Sequence, residues 1–184
     1  MPRLWYNPRE RICMVCCVFK TGICMILYHG SNVAVRSPRI LPMARALDFG
    51  QAFYLTSDWN QAARWAKTSA LRRGEGLPTV SSFFVEMPFA ASLNTLRFDG
   101  PTGAWLRFVS RNRNERLDDS QYDIVSGPVA NDNTMPVLNL YFKGAYTEEE
   151  ALRRLLPQRL CDQFAFKTAR ALACLSFLDA KEVV

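Results

Sequence analysis

Two periods of hydrophobicity run through the chain. Apolar or alternating runs of strand length fall at residues 26–28, 52–56, 79–87, 92–98, 122–126, 137–142 and 163–168, most of them flanked by glycine, proline or aspartate. Between them a helical period spans 58 to about 73. It puts Trp59, Ala62, Ala63, Ala66 and Ala70 on one face, with Thr56 or Ser57 available as cap and Gly74 as the stop. A second helical segment, 103–113, gathers Trp105, Leu106, Phe108 and Val109 on its inner face and carries Arg107, Arg111 and Arg113 on its outer face and exit. Thr147-Glu-Glu-Glu150 is a capping box that opens a third helix, which must end before Pro157. The chain closes on a leucine-rich stretch, 171–178. Strands and helices mix without a regular β-α-β alternation, which predicts an α+β fold rather than a doubly wound sheet.

Composition narrows the class without naming it. The chain has 184 residues, 49% of them hydrophobic and 22% charged, enough for one globular core. No apolar run reaches the roughly 20 residues of a membrane span, so no membrane partner is expected; the cysteine usage gives the expectation of a cytoplasmic protein. The net charge is +6. Residues 1–24 hold Arg3, Arg9, Arg11 and Lys20 against Glu10, so half of that excess precedes Met25. Cys13, Cys16, Cys17 and Cys24 crowd the same stretch, with Cys161 and Cys174 far away. No second C-x-x-C follows at zinc-finger spacing, so the reading is reduced thiols and no metal. Residues 1–24 are expected to be a loosely attached extension, with Met25 as the alternative start; a short membrane-surface or partner-binding segment is the other reading. Residues 25–184 are expected to form one domain.

Chemistry-bearing signatures are few. A P-loop, G-x-G-x-x-G, G-x-S-x-G and H-E-x-x-H are all absent from the sequence. What stands out is the end of the first strand, Tyr28-His29-Gly30-Ser31, which carries the only histidine of the chain. A strand that delivers an imidazole and then a glycine sets a ring donor beside approachable backbone, a way to grip a polar ligand edge-on. The second strand carries Phe53-Tyr54-Leu55-Thr56 after Asp48-Phe49-Gly50, and a late strand carries Asp162-Gln163-Phe164-Ala165-Phe166. Taken singly, Tyr54 reads as a core aromatic, Gln163 as a surface glutamine, and Asp123 and Asp132 as turn caps. Arg107, Arg111 and Arg113 read as a solvated face or as guides for an anion.

In order along the chain, these three motifs resemble the ADP-ribosyltransferase superfamily, in the poly(ADP-ribose) polymerase and diphtheria-toxin branch marked by a histidine, a tyrosine and a glutamate. The close fit is to a small, largely uncharacterised bacterial family that starts M-x-L-Y-H-G-S, continues D-F-G-x-G-F-Y-L-T and ends near D-Q-x-x-F-x-T; it covers residues 25–180. The resemblance implies a split mixed and antiparallel sheet with flanking helices, and NAD as the substrate. It implies that His29 holds the adenosine ribose, that Gly30 offers its backbone to the nicotinamide carboxamide, and that Tyr54 stacks on the nicotinamide ring. Ser31 and Thr56 complete the binding set, Gln163 takes the late-strand catalytic position, and Asp123, Asp132, Asn112 and Arg113 are the supporting candidates. The implied activity is mono-ADP-ribosyl transfer to a macromolecular acceptor, protein or nucleic acid, by a toxin or defence effector with a small antitoxin-like partner. NAD hydrolysis on the same fold and a non-catalytic nucleotide- or partner-binding module are the alternatives.

One departure has chemical content. Many relatives place a glutamate where this chain has Gln163. A carboxylate there bonds a ribose hydroxyl and also takes a proton from the acceptor; an amide can do only the first. Asp123 or Asp132 is the candidate replacement carboxylate. Ala52 replaces a glycine of the pattern, a second departure.

Overall fold

A computed structural model describes residues 23–42, 47–89, 91–114, 121–130, 134–157 and 160–183. Asp132 and most of the stretch before Met25 lie outside the described residues. The fold is α+β and divides into two compact units woven from separate segments, so that the block read as one domain runs through both.

The first unit draws on residues 23–38, 55–93 and 169–183. Its sheet is antiparallel, in the order β1 (Ile23–Ser31), β3 (Thr79–Met87), β7 (Ser176–Glu182). β1 begins at Ile23, so the last two residues before Met25 belong to the sheet, and Cys24 is disulfide-bonded. That corrects the expectation of reduced thiols for Cys24, whereas Cys161 and Cys174 are free thiols. Helix α1 (Trp59–Arg73) packs on β1 and β3 through Ala62 and Ala66, both buried. Its cap is Asp58, whose carboxylate accepts from Gln61 N at 3.1 Å, and it ends at Gly74 with φ +68°. The close of the chain, 171–178, resolves into the end of a short helix, α5 (Ala169–Leu172), and the start of β7.

The second unit draws on residues 39–54 and 94–168. Its mixed sheet has the order β2 (Phe53–Leu55), β6 (Asp162–Phe166), β5 (Ile124–Pro128), β4 (Thr95–Arg97). Helices α2 (Gly103–Asn114), α3 (Met135–Phe142) and α4 (Glu148–Leu155) pack with one another. Phe49, Trp105, Leu106, Val109, Val125, Leu138, Leu155 and Ala165 join in one buried core. Residues 137–142, expected as a strand, form α3. The reason is local: Pro136 sits in the first turn, where its missing N–H costs nothing, and of the apolar run only Leu138 is buried.

Candidate functional site

The sequence motifs fall on both units: His29 and Gly30 in the first, Tyr54 and Gln163 in the second. In the first unit, β1 pairs with β3 so that Tyr28 faces Ser82, His29 faces Ser81 and Gly30 faces Val80. On its other edge, Tyr28 exchanges two backbone hydrogen bonds with Thr56, at 2.8 and 3.0 Å. Strand backbones alternate their direction, so Gly30 points its N–H and C=O to the same edge as Tyr28, away from β3. There no described residue meets them, although Gly30 is buried. The strand thus ends in an open donor and acceptor next to the half-buried imidazole.

Helix packing explains why residue 30 is glycine. A Cβ there would lie 2.0 Å from Ala62 O and 2.8 Å from Ala66 N, both backbone atoms of α1. The helix therefore covers the Gly30 face of β1, and alternation places His29 on the opposite face with Leu27. Ser31 and Thr56 are buried. Ser31 Oγ donates to Asn32 Oδ1 at 3.4 Å, and Thr56 Oγ1 accepts from Asp58 N at 3.1 Å at the entrance to α1.

In the second unit the turn before β2 is built around Tyr54. Its hydroxyl donates to Gly50 O at 2.6 Å and accepts from Phe49 N at 3.2 Å, which fixes a half-buried ring. Gly50 has φ +76°, and a Cβ on it would lie 2.8 Å from Asn112 Oδ1 and 3.0 Å from Lys167 Nζ. Lys167 also donates to Phe49 O at 2.6 Å. The Asp48-Phe49-Gly50 turn is thus held from several sides.

Gln163, on the strand next to β2, is buried rather than exposed. The surface expectation fails because its amide has internal partners: Nε2 donates to Asp48 Oδ2 at 3.0 Å and, at 3.4 Å, to Pro128 O. Asp48 is itself 4% exposed. Its Oδ1 takes Arg113 Nε and Nη2, each at 2.6 Å, and its Oδ2 also takes Ala130 N at 2.9 Å. Arg113, half-buried, is therefore committed to an ion pair with a buried carboxylate, not to a solvated face. Arg107 pairs with Glu148 at 2.5 Å. Arg111 is exposed.

The remaining supporting candidates divide. Asn112 is buried; its Nδ2 donates to Phe108 O at 3.0 Å, while Oδ1 has no partner and faces Gly50. Asp123 is buried, with Oδ2 accepting from Asn94 N at 2.9 Å and Oδ1 from Thr168 Oγ1 at 2.5 Å. These bonds tie β5 to the segments before β4 and after β6. Asp48 is the residue that sequence reasoning missed. It was visible in the Asp48-Phe-Gly motif, but nothing in the sequence pairs it with Arg113 or Gln163. Among the described residues no cluster of histidine, cysteine, aspartate and glutamate could hold a metal, and no helix is long and apolar enough to cross a membrane.

No curated protein and no solved structure matches the chain. Residues 25–177 match the family model described as a protein of unknown function, DUF3990, and the chain belongs to that family.

Proposed function

We propose that this protein is an NAD-dependent mono-ADP-ribosyltransferase. The observation that supports it most is the open edge at Gly30: a buried N–H and C=O, unpaired by any described residue, beside His29. A backbone donor and acceptor that no described residue pairs are free to bond water or a ligand. A primary carboxamide such as nicotinamide complements them with one acceptor and one donor. The resemblance to the ADP-ribosyltransferase superfamily, and not a juxtaposition of the two units, assigns the Tyr54 ring to the pyridinium and Gln163 to a ribose hydroxyl.

In this reading the bond between ribose C1′ and the nicotinamide nitrogen breaks, and its electron pair leaves with neutral nicotinamide. The oxocarbenium-like sugar that remains is captured by the acceptor, whose proton goes to solvent. Rate comes from binding that state better than NAD itself. Gln163 supplies no base, so single transfer to a macromolecule that is already nucleophilic fits better than chain elongation. The acceptor's class stays part of the proposal.

The test is nicotinamide release from NAD by the full chain, beside His29→Ala and Tyr54→Ala. Release by the parent and its loss in both variants is the expected result. Labelled NAD added to lysate then separates transfer from hydrolysis, because the label ends attached or as free ADP-ribose. No release and no thermal shift with NAD would refute the proposal.

A further inference from the structure

The surroundings of Gln163 carry the proposed reaction one step further, a step that rests on the transferase reading. We infer that Asp48 is a positioning residue that locks the Gln163 amide so that Oε1, not the NH2 group, is offered to the ligand. The NH2 end faces Asp48 Oδ2 and Pro128 O, two groups that can only accept. Trp105 Nε1 donates to the same Pro128 carbonyl at 3.0 Å, so that oxygen is held in place as well. Turning the amide over would set Oε1 against both acceptors and forfeit both bonds. Oε1 is thereby aimed away from Asp48, and no described residue donates to it. Nor is it sealed in: among the described residues the fully buried side-chain oxygen without a partner is Asn112 Oδ1.

Asp48 does not act as a base in this arrangement. Its two oxygens already take four donors: two nitrogens of Arg113, Ala130 N and Gln163 Nε2. The same contact explains why position 163 is an amide. A carboxylate there would meet Asp48 Oδ2 acceptor to acceptor. Arg113 balances the charge of Asp48 alone, and Lys167 is engaged on the Phe49 carbonyl. A second carboxylate would have to hold a proton shared with the first.

The experiment exchanges the two chemistries in the full chain, comparing the parent with Asp48→Asn, Gln163→Glu and the double variant Asp48→Asn/Gln163→Glu. In the double variant the Nδ2 of residue 48 can donate to the carboxylate of residue 163, again leaving an oxygen turned to the ligand, although it gives up the bond that Ala130 N makes to the same position. Melting is followed from about pH 8 to pH 5, the range over which a crowded carboxyl gains its proton. Gln163→Glu should melt below the parent at the upper end and regain most of the loss at the lower, while the double variant keeps the parent's pH profile at a constant offset set by the lost Ala130 N bond. Nicotinamide release should fall about tenfold in Asp48→Asn, the scale of one charged hydrogen bond, and recover in the double variant. A Gln163→Glu deficit that ignores pH would overturn the contact. A double variant with the parent's pH profile but as slow as Asp48→Asn would reduce Asp48 to a fold anchor. A parent that releases no nicotinamide refutes the transferase reading instead, and the melting comparison then decides the Asp48–Gln163 arrangement by itself.

Discussion

Gly30→Ala is the sharpest single perturbation of the first unit. The added methyl carbon would start 2.0 Å from Ala62 O, 2.8 Å from Ala66 N and 3.0 Å from Ala62 C. Ordinary carbon contacts begin near 3.5 Å, so α1 must move by more than 1 Å or β1 must bend. None of the three atoms is a flexible side-chain end that could step aside. Overpacking of a well-filled interior costs about 1–3 kcal/mol, and backbone against backbone belongs at the top of that range. For a chain of this size, about 3 kcal/mol lowers the melting temperature by roughly 6–12 °C. Gly100→Ala is the control, since nothing lies within 4 Å of its added Cβ. Circular dichroism melts of both variants and the parent make the measurement. A Gly30→Ala protein that melts within a degree of the parent would refute the close crossing of α1 over β1, and with it the account of why this residue lacks a side chain.

Tyr54→Phe removes a hydroxyl that serves Gly50 O and Phe49 N, a loss of about 1–2 kcal/mol, yet keeps the ring. Nicotinamide release should therefore fall less than in Tyr54→Ala, and equal losses would count against ring stacking. Asp123→Ala strands Asn94 N and Thr168 Oγ1, at about 1–3 kcal/mol, whereas Asp123→Asn keeps an acceptor and gains a donor and should retain most of the stability by denaturant titration. The Glu150 carboxyl lies below its usual range because the Thr147 backbone N–H, and then its hydroxyl, bind the charged form. Its contribution to α4 is thus complete above the ordinary carboxylate range and fades as pH falls through the lowered value. Glu150→Gln should flatten the acid side of the melting profile, and an unchanged acid slope would show that the capping box does not hold the charge.

What was legible in the sequence was whatever local chemistry decides. The alanine face of α1, the capping box at Thr147 and the strand ending in Tyr28-His29-Gly30 are written in adjacent residues. Residues 137–142 misled because a short apolar run suits either period, and only Pro136 argued for the helix. Asp48, Arg113 and Gln163 were individually plain polar residues. Their meeting depends on a turn, a helix exit and a late strand converging in one buried spot, and long-range convergence has no local signature. Gly30 was read for its open backbone. The stronger demand on its identity comes from α1, whose packing distance a single sequence does not state.

The carboxylates bear on how the proposed reaction could end. Asp48 is saturated by four donors, and Asp123 is spent on Asn94 and Thr168. Freeing either would leave a buried donor unpaired, so neither is a ready proton acceptor. Gln163 cannot be one. With these three described residues alone, an acceptor taken up by this site brings its own nucleophilicity and sheds its proton to water; Asp132 lies outside the described residues. A nucleophile that is neutral and unprotonated at working pH meets that demand; an unactivated hydroxyl does not. The rate with a hydroxyl acceptor should consequently gain from a carboxylate at position 163 once position 48 is an amide, whereas transfer to a nucleophile of the first kind should hardly respond. Comparing the two acceptor types on the exchanged pair reads that difference directly, and an equal gain for both would mean that a base already serves the parent site.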